Sequence, residues 1–262
     1  MKDIFDPKRF GRYFAYELNT ARQNCGLTLL VTCAIPIIGV LAEMLITADI
    51  EFNGEDVAFR WFLAMVAVAI TVISFPVKLY GNITDRRAGS WWALIPASAF
   101  EKFLSAVLMT CVVLPVCFIA LYSVADALVC LIPGYGKPLF SQISALRADL
   151  FGLYYSAFGL FLDLWANWCA SVLTFTLGAI FFRKGKVSKT ILVIIALGFL
   201  LSSVLVWIIN SVGYEHWENL WDTDFCSMDF PRGLRTLQII VYTVANAILL
   251  AGNFFRLKTI KY

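Results

Sequence analysis

Charge is scarce in this chain: 15% of its 262 residues are Asp, Glu, Lys or Arg, while 60% are hydrophobic. Soluble domains run near one quarter charged and one half apolar, so a soluble globular fold is excluded; the mean hydropathy of +0.78 points to a membrane protein. Histidine is almost missing, with His216 alone, and the seven cysteines form no Cys-x-x-Cys pair. Zinc sites draw on several His or Cys, so His216, among Glu215, Glu218, Asp222 and Asp224, reads as part of a solvated acidic loop. There is no nucleophile elbow, no His-Glu-x-x-His helix and no phosphate loop. Gly134-Tyr135-Gly136-Lys137 comes nearest to the last, but Pro138 stands where Ser or Thr would hold magnesium. No catalytic residue and no metal ligand is nominated, and any ATP used must bind another chain. The first 25 residues are charged throughout and lack an apolar core with a small-residue cleavage site, so no removable signal peptide is expected and the first span serves as the insertion signal.

What is present is six apolar runs, at about 27–48, 58–80, 103–132, 151–182, 190–211 and 235–255. Each reaches the roughly 20 residues of helix that cross a bilayer core. The expectation is an all-α membrane protein, one transmembrane domain over 1–262. The third and fourth runs exceed a bilayer and should tilt, kink or project, with Pro115 as the site of a kink. Of the 21 Lys and Arg, 16 fall in the N-terminal segment, the second and fourth connections with their flanks, and the tail. The other connections hold Arg60, Lys137, Arg147, Arg232 and Arg235 and are rich in acid. Under the positive-inside rule this alternation puts both termini in the cytoplasm of a cell (inner) membrane. The net positive charge says nothing of nucleic acid, and none is expected as a partner.

Local signals refine the ends of these helices. Asp6 can cap a helix whose first residue is Pro7, where the missing N–H costs nothing. Phe10, Tyr13, Phe14 and Leu18 recur at helical spacing, so residues 1–25 are read as a cytoplasmic amphipathic elbow lying on the leaflet before the first span. Trp217, Leu220, Trp221 and Phe225 suggest a short interfacial helix before the last span. Three carboxylates fall inside spans, Glu43, Asp126 and Asp163, each near the acidic end, with Trp165 and Trp168 resembling an aromatic belt. Either these carboxylates share a polar path, or each is hydrated separately at the interface. In the loop GNITDRRAGSWWALIPASAFEKFLS, Ser98 and Glu101 form a capping box just after Pro96, so the third helix should start at Ser98 with Lys102 in its first turn. The basic, aromatic stretch from Asp85 to Leu94 is a natural docking surface.

This layout resembles the permease subunits of ABC transporters of the second exporter type. Such proteins carry an elbow helix, six spans, and a first cytoplasmic loop reading acidic-Arg-x-x-Gly-small, then Leu-x-x-Pro-x-Ser, then a charged residue. The matching residues here are Asp85, Arg86, Gly89, Ser90, Leu94, Pro96, Ser98, Glu101 and Lys102, with one residue rather than two between Leu94 and Pro96. The resemblance implies that the 82–94 loop, with Asp85, Arg86, Arg87, Gly89, Trp91 and Trp92, contacts a separate ATPase subunit that binds ATP and magnesium. It implies a second permease copy or homologue as partner, export as the direction, and no cofactor in this chain. The Trp91-Trp92 pair departs from the aliphatics usual in the family. Two other readings remain open: a non-catalytic membrane scaffold or assembly protein, and an intramembrane lipid-acting enzyme using Asp126, Asp163 and His216.

Overall fold

The computed structural model describes residues 5–47, 57–84, 89, 92, 94–132, 137–142, 157–212 and 230–259, and all regular structure among them is helical. Helix α1 (Pro7–Cys33) is followed after Ala34 by α2 (Ile35–Thr47) and then by α3 (Val57–Tyr80), which ends in a 3-10 turn at Gly81–Thr84. The third span is built from α4 (Ala99–Leu108), a π turn at Met109–Val113, and α5 (Leu114–Val129). A second 3-10 turn (Leu139–Gln142) precedes α6 (Ala157–Phe181), α7 (Lys186–Val212) and α8 (Phe230–Thr259). Six helical stretches among the described residues are long and apolar enough to cross a membrane, so this is a multi-pass membrane protein by length and composition.

The expected caps form. The Asp6 side chain accepts from the Lys8 N–H at 3.0 Å, and Pro7 opens α1. Ser98 caps α4 in a reciprocal capping box with Glu101. The elbow and the first span, expected to part between Arg22 and Leu27, are instead one continuous helix to Cys33. Residues 22–27 contain no proline, and Cys25 is buried within a packed cluster, so nothing local interrupts the ladder. The break comes at Ala34, two residues before Pro36, which has no N–H to donate. The buried row of α1 also differs from the expected stripe. It runs through Tyr13, Glu17, Ala21 and Cys25, four residues apart, while Leu18 is exposed.

Helix α6 is the hub of the bundle, packing against α3, α7, α8 and the π turn. Two details set its approach to α7. Gly185, with φ of 63°, makes the left-handed turn that lets α7 reverse direction after Phe182. Gly178 then lies against the Thr190 side chain, so closely that a Cβ there would overlap it. Small residues at such crossings let backbones approach where lipid gives no hydrophobic drive for helix association. By contrast, α7 and α8 turn long apolar faces outward, including Leu192, Ile195, Phe199, Ile240 and Ile248. In water such surface would drive aggregation; in a bilayer it meets lipid.

The irregularity expected at Pro115 takes the form of the π turn just ahead of it. The Leu114 N–H reaches back to the Met109 carbonyl. That leaves the Thr110 carbonyl behind, and the next residue, Pro115, has no N–H to offer either Thr110 or Cys111. Two indoles from α6 take up the orphaned carbonyls: Trp165 Nε1 donates to the Cys111 carbonyl at 2.8 Å and Trp168 Nε1 to the Thr110 carbonyl at 3.3 Å. The two tryptophans, three residues apart on one face of α6, therefore direct their polar ends into the bundle rather than acting only as an interfacial belt.

Candidate functional site

The basic end of the bundle gathers the termini of α1, α3, α4, α6, α7 and α8 around the first turn of α4. Glu101, fully buried, is its centre. One carboxylate oxygen accepts from Arg9 Nη2 at 2.7 Å and from the Asp6 backbone N–H at 3.0 Å; the other accepts from Arg9 Nε at 2.8 Å and from the Ser98 N–H at 2.8 Å. This two-pronged arginine contact is the geometry in which a guanidinium binds a carboxylate best. The same side chain thus caps its own helix and clamps the start of α1.

Lys102, the next residue, is also buried and faces the loop. Its Nζ donates to the Trp92 carbonyl at 2.8 Å and sits 4.3 Å from the Trp92 ring centroid, a cation–π contact. Trp92 packs with Phe103 against a cluster of Tyr80, Ile83, Ala106, Ile180 and Leu257, contributed by α3, its 3-10 turn, α4, α6 and α8. An aromatic seam runs beside it: Phe5 meets Phe100 edge-on at 6.1 Å, and Phe254 of α8 meets Phe103 at 5.4 Å. From the far connection, Lys186 Nζ donates to the Gly81 carbonyl. Two connections at the basic end therefore touch each other.

A second carboxylate lies one layer deeper. Glu17 is buried and accepts from the Tyr80 hydroxyl at 2.6 Å and from the Ser105 hydroxyl, joining α1, α3 and α4. Burial of a carboxylate is costly unless its oxygens are satisfied, and two hydroxyl donors fill that role here.

Of the sequence-nominated residues, Pro96, Ser98, Glu101, Lys102 and Trp92 are placed in this assembly or beside it, Gly89 is buried, and Leu94 is exposed. Asp85, Arg86, Arg87, Ser90 and Trp91 lie outside the described residues, as do His216 and the 217–225 segment. The three span carboxylates are not alike. Asp126 is buried and pairs with Arg60 Nη2 at 2.7 Å, while its other oxygen accepts the Leu139 N–H at 2.7 Å; Arg60 Nη1 in turn donates to the Lys137 carbonyl at 2.9 Å. Asp126 therefore serves as half of a clasp that folds the 137–139 segment back onto α3. Glu43 and Asp163 are half-buried. Among the described residues no group of three or more His, Cys, Asp or Glu could hold a metal ion.

Sequence reasoning missed Glu17, Arg9 and Arg60. Glu17 had a signal, since 13, 17, 21 and 25 form one helical row and a carboxylate on a buried row demands partners. Arg60 and Arg9 had none, because their partners are 66 and 92 residues away. No family model, no curated protein and no solved structure matches the chain.

Proposed function

We propose that the chain is the membrane-spanning permease subunit of an ATP-driven ABC transporter, an exporter, with its basic end and both termini in the cytoplasm. A separate ATPase docks on the 82–94 loop, and two permeases, identical or homologous, form the transport path between them. The observation that carries this reading is the clamp on Glu101. A coupling loop is useful only if its displacement reaches the spans, and this loop is tied at Trp92 to Lys102 while Glu101 next to it is tied to Arg9 and Asp6. A push on the loop therefore moves α1 and α4 together. Further along, the π turn at Met109–Val113 interrupts the regular ladder of the third span, an irregularity of the kind found where helices bend in function.

The test is a mild-detergent pulldown of the tagged protein, with copurifying chains identified and ATP hydrolysis assayed, repeated after Arg86→Glu and Arg87→Glu. Recovery of an ATPase subunit that the charge reversal releases supports the permease. A folded protein that brings down no ATPase overturns it in favour of a scaffold or a lipid-acting enzyme.

A further inference from the structure

The outward surface of the bundle is apolar over most of its described length, and a polar cleft interrupts it near the basic end. Thr28 and Thr32 on α1, and Thr71, Ser74 and Lys78 on α3, line a cleft backed by Phe75. Spacings of four on α1 and of three and four on α3 keep each set on one face. The cleft is open to the outside, and its enclosed part is no larger than a water molecule, so an occupant must lie across its mouth. Three of the hydroxyls, on Thr32, Thr71 and Ser74, donate to carbonyls of their own helices. Their hydrogens are spent. The donors left for a ligand are the exposed ammonium of Lys78, which gives one hydrogen to Thr28 Oγ1, and the Thr28 hydroxyl itself. Among the described residues, no carboxylate pairs with Lys78. On either side, Val31 and Ile70 are exposed and apolar.

We propose that this cleft binds the phosphate of an anionic phospholipid in the leaflet at the basic end, with Lys78 and Thr28 as its ligands and the acyl chains along the apolar flanks. The charge decides against a second copy of the chain as occupant. Two copies apposed through this cleft by two-fold symmetry would bring one Lys78 toward the other with no acid in the cleft between them. A lipid phosphate supplies the missing anion, and a cation at headgroup depth attracts it.

The experiment is native mass spectrometry of the full-length protein released from micelles containing phosphatidylglycerol or phosphatidylcholine with the same acyl chains. The expected result is a preference for phosphatidylglycerol of about fivefold, the attraction one lysine exerts at an anionic surface. Lys78→Gln should remove that preference and Thr28→Val should weaken it, while Lys78→Arg and Lys8→Gln keep it. Lys78→Arg keeps the charge at the site, so its result stands even if Lys78→Gln fails to fold. Equal retention of the two lipids by the native protein overturns the proposal. So does an unchanged preference in folded Lys78→Gln, or an equal loss in Lys8→Gln, which would mean only diffuse attraction. A change of oligomeric state in Lys78→Gln without a change in lipid retention would assign the cleft to a second copy and overturn it as well.

Discussion

The Trp165 indole donates at 2.8 Å to the Cys111 carbonyl, the carbonyl that Pro115 leaves without a helical donor. A side chain of the fourth span therefore completes the backbone bonding of the third. Lipid offers no substitute partner, so within the bilayer the pairing sets which face of α6 meets the π turn.

If that dependence holds, Trp165→Phe should destabilise the protein by about 1 kcal/mol, a typical value for an interhelical hydrogen bond in a membrane. Pro115→Ala restores an N–H four residues after Cys111. Combined with Pro115→Ala, Trp165→Phe should then cost less than in the native protein. A double-mutant cycle read by thermal unfolding in detergent checks this; strict additivity would mean that the indole and the proline act independently.

Removing one half of the buried Arg60 and Asp126 pair leaves an uncompensated charge among apolar side chains. Asp126→Ala should therefore cost about 3–5 kcal/mol, more than the double replacement Arg60→Met with Asp126→Leu. The same change frees the Leu139 N–H, so a cysteine placed at the buried position 139 should become reactive to maleimide in the Asp126→Ala background only.

Glu101→Ala takes the acceptor from Arg9, from the Asp6 N–H and from the Ser98 N–H at once. The start of α1 should come loose, and trypsin should cut after Lys8, Arg9 or Arg12 several-fold faster. Unchanged cleavage in folded Glu101→Ala would mean that α1 is held by other contacts.

Gly178→Ala should destabilise the crossing of α6 and α7 by about 1–3 kcal/mol, since the added methyl meets Thr190, whose hydroxyl is held by the Lys186 carbonyl at 2.7 Å. Thr190→Ala in the same chain should recover most of the loss. Equal unfolding temperatures for the single and double variants would place the clash elsewhere.

Much of the fold was legible in advance. The six apolar runs, the cap at Asp6 with Pro7, the capping box of Ser98 and Glu101, and an irregularity near Pro115 are all set by neighbours within four or five residues, and helix periodicity displays such neighbours directly. The site was legible only in part. Glu101 announced itself as a cap but not as the acceptor of Arg9, and Asp126 stood out as a charge in a span without revealing Arg60.

The sequence by itself determined how many times the chain is long and apolar enough to cross a membrane, where the capped helices at Pro7 and Ala99 begin, and which end of the bundle is basic. Tertiary structure alone decided which polar groups meet: Arg9 with Glu101, Glu17 with Tyr80 and Ser105, Arg60 with Asp126, the two indoles with the carbonyls of the π turn. The reason is physical. Helix formation is governed by interactions along the chain, whereas these pairings join groups 54 to 92 residues apart and depend on the rotation and depth of each helix, which packing of the whole bundle fixes at once.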